Sequence, residues 1–292
     1  MRARFRDLGA PARLALFAAG LALVGGLAAL AGAATGHGRV AVKDDHGDEM
    51  AMTELSPAAQ SRASGLSSVA GGYTFAPVRT TLREGRETAF RFRILDSSGR
   101  ATHAFDVDGG VRLHLIVVRR DFVGYEHVHP KPQADGTWSV PLTLGAPGAY
   151  RAYADFEVGG VKTVLGHDLF VAGAFTPAPL PAVRSAARVG SFEISLTHDA
   201  LKANKATELH FAVSRQGKPV PSFDDYVGHR GHLVALRDGD LSYSHVHPEP
   251  DAKLGEIVFH TDLPSAGSYR LFLQFKVDGV VHTAPFTVEV AR

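Results

Sequence analysis

The chain has 292 residues, enough for two domains of ordinary size, and balances 31 basic against 30 acidic side chains. A formal net charge of +1 leaves no electrostatic footprint for nucleic acid or for a polybasic membrane surface. Cysteine is absent, which excludes disulfides, thiolate zinc sites and cysteine nucleophiles; the 15 histidines make imidazole the one soft ligand present in quantity.

Residues 1–35 stand apart from the rest. Arg2, Arg4, Arg6 and Arg13 oppose a single acid, Asp7, and precede 21 uncharged residues from Leu14 to Ala34. A run of that length crosses a bilayer as one helix, and the arginines would hold its start in the cytoplasm. The expectation is a single-pass membrane anchor with everything after Thr35 outside the cytoplasm. A cleavable signal peptide is the alternative, because Ala31-Gly32-Ala33 fits a small-residue cleavage site. Residues 36–70 contain little that packs and read as a flexible tether, in which His46, Met50 and Met52 lie among acids.

From Tyr73 onward the pattern is that of strands. Phe90, Phe92 and Ile94 alternate with Arg91 and Arg93, and Leu209, Phe211 and Val213 alternate with Glu208 and His210. These segments are counterparts in a repeat. "LHLIVVRRD" matches "GHLVALRDG", and "APGAYRAYADFEVGGV" matches "SAGSYRLFLQFKVDGV", in the same order and at nearly the same spacing. The domains expected are a β-sandwich over 71–173, a Pro-rich joint over 174–187 and a second sandwich over 188–292. About 100 residues of short strands, with no helical periodicity, describe an immunoglobulin-like Greek-key sandwich. The fold class is therefore all-β, two tandem sandwiches behind an N-terminal transmembrane helix. "PGAY" and "AGSY" add a specific sign, since a Tyr at such a strand start reads as a tyrosine corner.

"HVHP" occurs in both copies. His114 precedes His127 and His129, and His232 precedes His245 and His247, with the same spacing each time. In the second copy Asp238-Gly239 reads as a two-residue hairpin turn. Counted back from that turn, His232 faces His245, with His247 next along the same face. Three imidazoles with an open fourth position suit copper or zinc. The expectation is one metal cluster per sandwich, tighter in the second, because "RRDFVG" in the first copy carries no comparable turn. Such binding would weaken as pH falls through about 6.5, the ordinary histidine value. The competing reading is a structural polar rim packed on Tyr125 or Tyr243. The other histidines considered, His103, His167, His210, His229, His260 and His282, read as ordinary surface or rim positions.

At these residues the chain resembles a group of mainly actinobacterial membrane-anchored or secreted tandem β-sandwich proteins with repeated HVHP motifs, loosely labelled heavy-metal-binding. The likeness covers residues 73–291 and rests on "LHLIVVRRD", "HVHP", "DGTWSVPL" and "YRLFLQF". It implies architecture more than activity, and kinship with small extracytoplasmic sandwiches associated with copper handling. The His-Glu pair that the resemblance implies before His114 is absent here, leaving Asp106 and Asp108 as the nearby acids.

No enzyme motif is complete. There is no serine elbow, phosphate loop or HExxH. A superoxide dismutase HVH lacks its other ligands here, and a cupin pattern at Gly239, His245 and His247 has no second motif. The function expected is extracytoplasmic, membrane-tethered, non-enzymatic copper or zinc handling, with an adhesion or scaffold module of the cell envelope as the alternative. A cell-envelope protein partner is expected and nucleic acid is not; the sequence leaves the oligomeric state open.

Overall fold

The computed structural model describes residues 65–292 except 245, 250 and 251, and of His247 the backbone alone. The expected membrane segment, the tether up to residue 64 and His245 lie outside the described residues. Among the described residues no helix is long and apolar enough to cross a membrane.

Every regular element among the described residues is a strand. The first copy contains β1 (Val69–Ala70), β2 (Tyr73–Pro77), β3 (Thr81–Leu82), β4 (Thr88–Leu95), β5 (Leu113–Arg119), β6 (Glu126–Val128), β7 (Lys131–Pro132), β8 (Trp138–Leu142), β9 (Gly148–Val158) and β10 (Val161–Val171). The second contains β11 (Ala186–Val189), β12 (Phe192–His198), β13 (Ala206–Arg215), β14 (Lys218–Pro219), β15 (Gly231–Arg237), β16 (Tyr243–Ser244), β17 (His247–Pro248), β18 (Glu256–Asp262), β19 (Gly267–Val277) and β20 (Val280–Val290).

In the first copy one sheet runs β1-β2-β4-β8-β7 and the other β3-β10-β9-β5-β6. The second copy repeats the plan with β11-β12-β13-β18-β17 and β16-β15-β19-β20. In each copy the chain crosses from its first sheet to lie parallel to its last strand. It does so at β3 against β10 in the first copy, and in the second through the single bridge from Lys202 to Ala291. This strand order, with all other pairings antiparallel, is the immunoglobulin-like sandwich. The two tyrosine corners are formed as well: Tyr150 donates to the Ala146 carbonyl at 2.7 Å, and Tyr269 to that of Ser265 at 3.0 Å.

Alternation decides which side chains enter each core. Phe90, Phe92 and Ile94 on β4 are buried while Arg91 and Arg93 are exposed, and the edge of Phe105 meets Trp138 at 5.0 Å. The same two-residue period buries Leu209, Phe211 and Val213 on β13. Not every strand obeys it. From Leu115 to Arg119 every residue of β5 is buried, as are Leu233 to Leu236 on β15. Such strands are covered on both faces.

What covers their outer faces is the other sandwich. Ile116, Val118, Phe122 and Tyr153 from the first copy form one buried cluster with Val234, Leu236, Leu241, Tyr243 and Phe272 from the second. Tyr125 stacks flat on Phe272 at 4.0 Å between ring centres. Tyr243 donates to Asp155 Oδ2 at 2.9 Å, and Tyr153 to the Leu241 carbonyl at 2.5 Å. At one margin the backbones nearly touch. Gly109 sits at φ 54°, and a Cβ there would lie 2.0 Å from the Val227 carbonyl oxygen, so no side chain fits between the two loops. The Pro-rich joint is also tied down: Ala178 N–H donates to Asp121 at 2.8 Å, and Leu180 packs on the shared cluster. The tandem sandwiches therefore meet along a buried interface, which the reading of two domains on a stiff spacer did not anticipate.

The hairpin between β15 and β16 differs from the expected one. Leu236 pairs with Tyr243 and Ala235 with Ser244, so the connection spans Asp238 to Leu241 rather than two residues. Leu241 takes φ 61° to close it. The Arg237 guanidinium bonds both Asp240 and Ser265, and this bracing favours the wider loop. The register differs by two residues from the one a two-residue turn would set. His247 pairs with His260 in the opposite sheet.

A candidate metal centre between the sandwiches

The three histidines of the first copy converge. On β5 and β6, Leu115 pairs with Val128 and Ile116 with His127. Val128 packs inward on the first core, so its neighbours His127 and His129 are turned to the outer face, as is His114, which alternates with the inward Leu113 and Leu115. One nitrogen from each of His114, His127 and His129 lies within 4.8 Å of the other two. Ring centres are 5.1 Å apart for His114 and His127, 5.0 Å for His114 and His129, and 5.1 Å for His127 and His129. The weaker of the two turn sequences therefore belongs to the copy whose three histidines meet. The reason is tertiary: the second sandwich closes over this face and packs the rings.

His232 of the second copy stands next to this group. Its ring lies 5.6 Å from that of His114 and 5.7 Å from that of His127. Among the described residues, the second copy's His232 stands beside the first copy's three. The side chains of His245 and His247 lie outside the described residues.

Residues of the second sandwich set the imidazole tautomers. Gln274 on β19 donates through its amide to Thr283 at 3.1 Å and receives the Tyr226 hydroxyl on Oε1 at 3.4 Å. Its Oε1 is thus an acceptor, and His127 Nδ1–H donates to it at 2.6 Å. That leaves His127 Nε2 with a lone pair, directed at His114 Nδ1 at 2.9 Å. His232 Nε2–H donates to the Tyr226 carbonyl at 2.9 Å. Fixing one ring nitrogen with a carbonyl or amide so that the other is free to ligate is how metal-binding histidines are held. His129 completes the picture, since its Nε2 is buried without a hydrogen-bond partner. A buried polar atom in that state is costly unless something outside the protein engages it.

Burial and mutual repulsion keep three of these rings, His127, His129 and His232, neutral. Burial lowers His127 well below the usual histidine value, and His114, His232 and His129 lower it further. Burial, then His114, brings His129 down to about 4, and the same two causes lead in bringing His232 to about 4. Neutral imidazole therefore persists well below the pH of about 6.5 expected for an ordinary histidine. A cavity of about 270 Å³ opens beside the rings, lined by His114, His127, His229, His232, Asp155 and Tyr243 among others.

Sequence reasoning missed His229, Gln274 and Tyr226. His229 reads in the sequence as an ordinary surface or rim position, yet its ring lies 5.6 Å from His232 and its Nε2 4.0 Å from Asp108 of the first copy. Gln274 carried a usable sign, because it interrupts the apolar run "LFLQF" at a position whose neighbours are buried. His210 and His260 form a separate group with carboxylates on the second sandwich. His210 meets Glu208 at 2.9 Å, and His260 meets Glu249 at 2.6 Å.

Two immunoglobulin-like sandwiches in tandem, with a histidine group at their buried junction, define the class of this protein. The chain belongs to the family described as a domain of unknown function, DUF8832, which matches it twice, over residues 67–173 and 187–292. No curated protein matches the chain. Among solved structures, the Escherichia coli adhesin FdeC is 17% identical with a TM-score of 0.27, covering 77% of this chain and 65% of its own. A chimeric titin Z1Z2 tandem is 15% identical with a TM-score of 0.20, covering 75% of this chain and 98% of its own. Domains 5–6 of the S-layer protein SbsC are 12% identical with a TM-score of 0.20, covering 75% of this chain and 96% of that one. The fold assignment rests on strand order and the tyrosine corners, and these distant likenesses add nothing about activity.

Proposed function

We propose that this chain is a non-enzymatic tandem-sandwich module of the cell envelope, held as one stiff body, that binds a single zinc or copper ion on His114, His127 and His129. The tandem architecture supports the module, and the shared buried cluster supports its stiffness. The observation that carries the metal is His129 Nε2, buried without a partner beside the His114 and His127 rings, whose ligand nitrogens lie within 4.8 Å of one another and of His129. Three histidine nitrogens at this spacing match a three-histidine site with an open position. Metal analysis of the purified full chain after equilibration with zinc or copper(II) tests this. One equivalent is expected, lost in His129→Ala.

A second reading, an adhesion or scaffold module without metal, is favoured by the stacked Tyr125–Phe272 and bonded Tyr243–Asp155 contacts, which join the sandwiches unaided. Absence of metal uptake by the wild type would select it. The uncharged run from Leu14 to Ala34 supports attachment to the membrane with the sandwiches outside. Recovery of the chain in the membrane fraction, with its sandwiches open to external protease, is the expected result.

A further inference from the structure

We propose that His232 is the fourth ligand, so that the ion bridges the two sandwiches and acts as a clamp across their junction. This rests on the three-histidine reading above and extends it from one sandwich to both. Nitrogens bound at about 2.0–2.1 Å around a tetrahedral ion place imidazole ring centres about 5 Å apart. The three first-copy rings already stand at 5.0–5.1 Å. His232 is 5.6 Å from His114 and 5.7 Å from His127, close enough for a small side-chain rotation to bring it into the same shell.

Its chemistry is prepared in the same way as that of His127. The Nε2–H of His232 is committed to the Tyr226 carbonyl, which leaves Nδ1 as the lone-pair atom. The anchor for each ring belongs to the second sandwich: Gln274 for His127, Tyr226 for His232. Half of the support for a first-copy ligand thus comes from the second copy, and separating the sandwiches would dismantle the site. By linkage, an ion that binds only the closed pair stabilises the closed pair.

Cobalt(II) titration of the purified full chain tests the clamp, because its visible spectrum reports coordination. Wild type, His129→Ala and His232→Ala are compared, each first checked for native far-UV and near-UV circular dichroism without metal. Wild type should bind one equivalent with intense four-coordinate bands. His129→Ala should weaken binding at least as much as His232→Ala does. His232→Ala should bind at least 10- to 100-fold more weakly, the loss that removing even an outer-shell partner causes, with an altered spectrum as water replaces imidazole.

X-ray absorption of the zinc-loaded wild type gives a readout that needs no variant, and four imidazoles are expected. If His129→Ala loses binding while His232→Ala keeps wild-type affinity and spectrum, the clamp is wrong and the three-histidine site survives. Three imidazoles in the zinc-loaded wild type would overturn the clamp in the same way. If wild type takes up no metal, or His129→Ala binds as wild type does, the underlying reading fails and the clamp with it.

Discussion

At the scale of single residues, two tyrosines and two aspartates hold the ends of the strands. The hydroxyls of Tyr150 and Tyr269 each reach a carbonyl four residues back, closing the turn before β9 and β19. Losing one such hydrogen bond costs about 1 kcal/mol. Tyr150→Phe and Tyr269→Phe should each lower the unfolding free energy by about that amount, seen as a lower urea midpoint with unchanged slope. Asp121 and Asp240 govern acid stability. Burial works to raise Asp121, but hydrogen bonds from Arg119 and the Ala178 N–H outweigh it and hold its pKa below the usual carboxylate value. Burial is likewise overcome at Asp240 by Arg237 and the Ser242 N–H. A carboxylate with a depressed folded pKa contributes stability that is full above its unfolded value of about 3.9 and is lost as pH falls through the folded one. The fall in thermal midpoint caused by Asp121→Asn should therefore be larger at pH 6 and shrink as pH is lowered below the ordinary carboxylate value. The tyrosines were legible in sequence from their position after Gly-Ala and Gly-Ser; the aspartates were not, because their partners include the joint and a loop amide.

At the scale of elements, β5 and β15 organise the molecule. Each sends one face into its own sandwich and the other into the junction, so neither tolerates an exposed row. "LIVV" in β5 and "LVAL" in β15 are apolar at four consecutive positions, and a half-buried strand would alternate. Here the chain did announce a second buried face, without saying what would cover it. Phe272 on β19 tests the element that covers it, being 3% exposed and stacked on Tyr125. Phe272→Ala should cost about 3 kcal/mol or more, the usual loss for a buried aromatic ring. Because the loss falls at the junction, calorimetry should show one unfolding transition in wild type and two in the variant.

At the scale of the whole molecule, the two copies meet as counterparts. Tyr153 contacts Tyr243 while Phe272, which occupies the place of Tyr153 in the second copy, contacts Tyr125, the counterpart of Tyr243. This reciprocity is the form of an isologous contact, like that of a two-fold dimer, made within one chain. It gives the duplication a structural consequence, since a single copy would leave the outer faces of β5 and β9 bare. Native-state hydrogen exchange should then find the amides of β5 and β15 opening together, at the free energy of global unfolding. Independent opening, with β15 exchanging at a lower free energy than β5, would show that the junction does not couple the copies.

What the sequence determined by itself is the interior of each sandwich and the grouping of histidines on one face of the first. Both follow from the two-residue period of a strand, which sets His127 and His129 on either side of the inward Val128 and turns His114 away from the inward Leu113 and Leu115. Tertiary structure alone decided which histidines share a centre. The second copy's loop was read as two residues and is wider, since Arg237, Asp240 and Ser265 brace it, and no local spacing rule counts such a brace. His232 stands with its counterpart His114 because two apolar faces, far apart in the chain, exclude water together. That is a non-directional force, and it names its partner only when both faces are in place.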